Sequence, residues 1–247
     1  MTEKTLFLSW QDQHQSREWF PVGQLDISGH GYRFHYIKGA ERAHAQAGLE
    51  PLVDFPDWNR TYESAVLFPL FMNRVMQEGR PDYREYLQML DLPRGSGVAE
   101  ILTVGGGRRA TDNFEVFPKL ERRPNGSFES RFFLHGWSHV NDDAQRRIDR
   151  LKSEEKLYVT IELTNPVVRL AVQIQTEDYY MIGWAPRYLV TDLVQAIAHA
   201  PGMYTAKVVR VNPAPAPSRQ RLLVELTGFW PDQYVPMTGP DFETLAA

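Results

Sequence analysis

Asn165-Pro166-Val167-Val168-Arg169-Leu170-Ala171-Val172, followed by Ile182-Gly183-Trp184-Ala185-Pro186-Arg187-Tyr188-Leu189, is the stretch whose reading decides the fold. The two blocks read as β segments joined by a compact turn, each rich in the apolar and β-branched residues that suit a half-buried sheet. Past the second block, Leu189, Leu193, Val194 and Ile197 recur at helical spacing over Tyr188 to Ala198, predicting an amphipathic helix. Working outward, Phe132 to Trp137 is strand-like, Ala144 to Leu151 predicts a helix with Ile148 and Leu151 inward, and Leu157 to Leu163 alternates as a strand. Further strands are expected over Leu170 to Ile174, Tyr179 to Trp184, Met203 to Val211 and Arg221 to Phe229. Several strands with one or two helices indicate a small β-barrel. The proline-spaced run Asn212 to Ser218 predicts a stiff, exposed hairpin tip.

The amino-terminal part reads differently. Thr5 to Trp10, Trp19 to Leu25 and Tyr32 to Ile37 are three strand candidates separated by polar or glycine-containing turns, so a meander is expected. Helices are expected over Gly39 to Ala47, Phe68 to Gln77 and Asp82 to Leu90, the last with Pro81 before its start. Asn125-Gly126 carries the hairpin-turn signal. A domain boundary near residue 128 divides the chain into 1–127 and 128–247.

Composition narrows the function. Hydrophobic residues make up 43% and charged residues 23% of the 247, the balance of an ordinary globular chain. Cysteine is absent, which excludes thiolate metal sites and disulfides and fits a cytoplasmic setting. No run of about 20 apolar residues suggests a membrane span. The formal charge is -4, and basic and acidic side chains are nearly equal in number over residues 131–247. Nonspecific DNA binders usually present a basic face, so any nucleic-acid site here must be local.

Catalytic patterns are thin. In Leu102 to Pro118, three glycines precede Arg108 and Arg109. Backbone N–H groups and two guanidinium ions there offer a phosphate-closing loop; the alternative is a glycine-rich turn joining two strands, with both arginines solvated or paired. No Gly-Lys-Ser/Thr follows, so the segment is not a P-loop. His135 and His139 are spaced i, i+4, but on a segment that reads as strand and turn they do not align as a helical metal pair. Ser9, Ser64 and Ser96 lack a nucleophile-elbow context, and Asp142-Asp143 reads as a turn before a helix. No nucleophile, metal or cofactor is assigned.

Two resemblances organise these readings. The order of elements over roughly residues 131–230, with the Asn165 and Gly183-Trp184 blocks, resembles a HIRAN domain. That resemblance implies an OB-like barrel whose relatives bind the 3′ end of single-stranded DNA. Carried across, Phe133 takes the place of a base-stacking aromatic, Asn165 opens the central block, and Trp184 and Arg187 occupy the last. The chain departs from the family where a Tyr-Asp pair is expected, since Val167-Val168 stand there, and again at Leu170, where the family has Asn. Val22-Gly23-Gln24-Leu25, Tyr32-Arg33-Phe34-His35-Tyr36 and Leu67-Phe68-Pro69-Leu70-Phe71 in turn resemble the amino-terminal subdomain of HipA-like kinases. No catalytic Asp with a metal-binding Asn follows, and too little chain remains for a kinase core.

The expected fold is therefore α+β: a small β-rich subdomain with helices, then an OB-like barrel with one or two helices. The expected function is a non-catalytic, DNA-associated accessory protein that binds single-stranded or damaged DNA through Phe133, Asn165, Trp184, Arg187, Arg108 and Arg109, alongside a protein partner. The alternative is a protein-interaction or regulatory module, in a toxin-antitoxin or defence setting, that has lost DNA binding.

Overall fold

The computed structural model describes residues 3–14 and 16–246. It is an α+β structure with two antiparallel sheets, and the chain divides into two compact units. The first comprises Met1–Tyr86, Leu92–Lys119 and Met237–Ala247; the second comprises Leu87–Asp91 and Leu120–Pro236. The chain thus changes unit between Lys119 and Leu120, ahead of the Asn125-Gly126 turn, and its last eleven residues return to the first unit.

In the first unit, β1 (Lys4–Gln11), β2 (Trp19–Ser28) and β3 (Gly31–Tyr36) form the expected meander. Next come α1 (Lys38–Ala47), β4 (Tyr62–Ser64) and α2 (Pro69–Met72). After α3 (Tyr83–Met89), α4 (Val98–Gly105) leads to β5 (Phe114–Pro118), and the sheet order is β4-β3-β2-β1-β5. Alternation drives the burial: Leu6, Leu8, Val22, Leu25, Phe34 and Tyr36 all point into one core with Phe55 and Phe71. Phe34 stacks on Phe55 at 4.0 Å between ring centroids. Tyr36 satisfies its buried hydroxyl by donating to Phe55 O at 2.8 Å and accepting from Leu52 N at 2.7 Å.

Two expectations change. The helix predicted over Phe68 to Gln77 is only the short α2, because Arg74 and Val75 donate to carbonyls three residues back and tighten the chain out of the helix. Arg74 is drawn fully inside, where Nη1 and Nη2 meet Asp112 at 3.1 and 2.7 Å and Nη1 also donates to Gly107 O. The glycine run, expected as a loop between two strands, instead ends a helix. Gly106 is the left-handed C-cap of α4, with φ 68 and its N–H on Leu102 O.

In the second unit the elements are β6 (Ser127–Phe133), α5 (Asp142–Ile148), β7 (Lys156–Asn165), β8 (Arg169–Thr176), β9 (Met181–Trp184), α6 (Arg187–His199), β10 (Thr205–Val211) and β11 (Leu222–Phe229). Their order across the sheet is β6-β11-β10-β7-β8-β9. The two edges meet at one point: just past β6, His135 and the β9 residue Trp184 exchange both backbone hydrogen bonds, each 2.9 Å. Residues 87–91 are fastened to this unit by Asn212 Nδ2, which donates to Met89 O at 2.9 Å, and by the Arg131–Asp91 ion pair. No helix among the described residues is long and apolar enough to cross a membrane.

Candidate nucleic-acid interface

The strands β7, β8 and β9 turn one row of side chains outward. Along β7 these are Lys156, Tyr158, Thr160 and Glu162, and the register sets Gln175 opposite Tyr158, Gln173 opposite Thr160, and Trp184 opposite Gln173. The row is aromatic at both ends and amide-rich between. At one end Tyr158 pairs with Tyr179 at 5.8 Å, and Lys156 Nζ lies 5.5 Å from the Tyr158 centroid. Tyr179 sits in the turn after β8 with φ 65 and is 76% exposed, an aromatic face held out to solvent.

At the other end Glu162 gathers the two sequence-predicted residues Asn165 and Trp184. Trp184 Nε1 donates to Glu162 Oε2 at 2.7 Å, and Asn165 Nδ2 donates to the same oxygen at 3.0 Å. Burial raises the Glu162 pKa, but hydrogen bonds from Asn165, Trp184 and Gln173 outweigh it, so the carboxyl lies below its ordinary range. Asn165 has a second task. Its Oδ1 accepts from Val167 N and Val168 N, at 3.0 and 3.1 Å, which bends the chain into the β7–β8 turn. Trp184 is fixed from beneath as well: a Cβ on Gly136, which has φ 69, would lie 2.5 Å from the indole ring.

The remaining predicted residues are placed elsewhere. Phe133 faces Leu223 of β11 and is only 7% exposed, a core ring with no free face for a base. It shares its face of β6 with Arg131, which reaches Asp91, so the segment 87–91 runs along that side. Arg187 opens α6 just after Pro186. Arg108 and Arg109 belong to the first unit. Arg109 is exposed, whereas Arg108 lies 4.6 Å over Trp19 and 3.5 Å from Glu115. The glycines before them lie at a helix C-terminus, which presents carbonyls and the negative end of the dipole. That end repels a phosphate.

Sequence reasoning missed Glu162, Gln173, Tyr158 and Tyr179. The alternation of Leu157 to Leu163 was the available signal, since it sets Tyr158, Thr160 and Glu162 on the face opposite the core residues Leu157 and Val159. Several basic groups of this unit are paired: Lys207 meets Glu154 and Glu225, Arg131 meets Glu225, and Arg147 meets Glu155 and Asp178. Among the described residues no group of three or more His, Asp or Glu is arranged to hold a metal ion.

No protein-family profile matches the chain, and no curated protein is similar to it. Among solved structures, a crystal structure of a protein from Lactobacillus plantarum, determined in structural genomics, is similar over 43% of this chain and 100% of its own, with 16% identity and a TM-score of 0.33. A likeness at that score carries no assignment of fold or function.

Proposed function

We propose that the second unit is a HIRAN-like, OB-like barrel that binds single-stranded or damaged DNA on the outer face of β7–β9, acting as a non-catalytic accessory module. The first unit, read as a HipA-like amino-terminal subdomain, then serves a protein partner. The observation that carries this reading is the aromatic and amide row itself, with Tyr158 and Tyr179 beside Lys156 at one end and Trp184 at the other. Base-aromatic stacking contributes about 1–3 kcal/mol per base. The edge-to-edge bridge between His135 and Trp184 supports the barrel reading.

The electrostatics make binding base-led. Glu162 keeps phosphates away from the Trp184 end, which leaves the exposed Lys156 beside the tyrosines as a cation for a backbone. One phosphate contact corresponds to a slope of log K on log salt of about -0.7 for a single strand. Fluorescence anisotropy with labelled single-stranded, blunt-duplex and 3′-blocked oligonucleotides at two salt concentrations tests this. The expected result is single-strand preference, a shallow salt dependence, and no sensitivity to a blocked 3′ end, because Val167-Val168 replace the end-reading pair. No binding at low salt contradicts the reading.

A second reading has its own observation. At the β7–β8 turn Leu163 and Val167 are each 73% exposed and Leu170 is 37% exposed, an apolar tip that suits a protein partner. On that reading the barrel is an interaction or regulatory module, and Leu163→Ser with Val167→Ser abolishes partner binding while Tyr158→Ala does not.

A further inference from the structure

The first unit carries a groove already filled by residues 239–245 of the same chain. Lys38 N donates to Glu243 O at 2.8 Å, Leu245 N donates to Tyr36 O at 3.0 Å, and Ile37 faces Thr244 in an antiparallel bridge. The side chains repeat the match. Lys38 Nζ lies 2.5 Å from Glu243 Oε2, and Arg42 Nε and Nη2 hold both oxygens of Asp241 at 2.7–3.1 Å. Between these acids, Phe242 sets its ring edge-on to Phe7 at 4.8 Å.

The fit is one of spacing as well as charge. Lys38 and Arg42 stand one turn apart on α1, about 5–6 Å between Cβ atoms, and the short 3-10 turn at Pro240–Phe242 brings two carboxylates from positions two residues apart onto them. The receptor side holds itself in place. Arg42 Nη1 donates to Glu18 at 2.6 Å and the guanidinium lies 4.5 Å from the Phe20 centroid, so Arg42 stays aimed when the segment leaves. The segment is held by an antiparallel bridge, ion pairs and the packing of Leu245 against the core. Its ion pairs are partly exposed, 30% and 32% for Arg42 and Asp241 and 49% and 55% for Lys38 and Glu243, and such pairs add little. Elements held in this way open before the sheet does.

We propose that this groove is a peptide-recognition site, filled in cis by residues 239–245 and open in trans to an acidic peptide of the pattern acid, aromatic, acid. The occupant is a partner segment with that chemistry, read by Lys38, Arg42 and the Phe7 ring. The probe is a labelled synthetic peptide of residues 238–246, Thr-Gly-Pro-Asp-Phe-Glu-Thr-Leu-Ala, titrated into the full chain. With Asp241→Lys and Glu243→Lys in the protein, the cis segment is repelled, and the probe is expected to bind at least tenfold more tightly than to the unaltered chain. Adding Arg42→Glu is expected to abolish that gain. Failure of the folded double variant to take up the probe, or uptake unchanged by Arg42→Glu, overturns the proposal. Should the double variant not fold, amide exchange in the unaltered chain decides: the Lys38 and Leu245 amides are expected to exchange at least a hundredfold faster than those of β2. Exchange together with β2 overturns it.

Discussion

At the scale of single residues, Glu162 determines what the outer face of β7–β9 presents. Its carboxylate occupies the Trp184 indole N–H and one Asn165 amide hydrogen, so neither is offered to a ligand while Glu162 is ionised. Because its folded pKa is depressed, the contribution of these bonds is complete above the unfolded value of about 4.3 and is lost as pH falls through the lower folded value. The difference in tryptophan fluorescence between the unaltered chain and Trp184→Phe is therefore expected to titrate below pH 4.3, and Glu162→Gln to remove that transition. Gly136 supports the same indole. Gly136→Ala combines a left-handed φ with a clash against the Trp184 ring, and a loss of about 1–3 kcal/mol is expected from urea unfolding. In the first unit, Arg74→Met leaves Asp112 without its fully buried partner. A loss of about 3 kcal/mol is expected there, at the lower end for broken buried pairs because Asp112 is itself partly exposed.

At the scale of elements, what the sequence makes legible follows from how local the determining forces are. The strands from Leu157 onward alternate so regularly that expected and observed spans agree closely, and α6 declares itself by Leu189, Leu193 and Ile197. What escapes is decided by distant contacts. The stretch after Phe68 has a helical composition, yet Arg74 is withdrawn into an ion pair with Asp112, a partner that no local pattern reveals. Helix α4 hides because two turns end in glycines that read equally well as loop. β4 is three residues long and is defined only by its pairing with β3. The site shows the same division. Asn165 and Trp184 are visible as a motif, but the Glu162 that joins them lies on another strand position set by register. The β7–β8 turn offers a direct check. Asn165→Ala removes the acceptor for Val167 N and Val168 N, and a loss of about 1 kcal/mol with faster exchange of the turn amides is expected by hydrogen-exchange NMR.

At the scale of the whole molecule, the two proposed recognition surfaces, one on each unit, differ in chemistry. The second unit presents an aromatic and amide face with a single exposed lysine beside its tyrosines, suited to bases more than to phosphates. The first unit presents a basic pair on α1 that already reads acids from the chain's own residues. An overall charge of -4 fits both, since neither surface depends on a broad basic field. The central claim, that the second unit binds single-stranded DNA through β7–β9, is tested most directly by anisotropy of a labelled single-stranded oligonucleotide against the unaltered chain and Tyr158→Ala. Binding at low salt is expected, weakening about 5- to 150-fold in Tyr158→Ala, the loss of one stacked base. Equal affinity for the two proteins, or no binding by either, would contradict it.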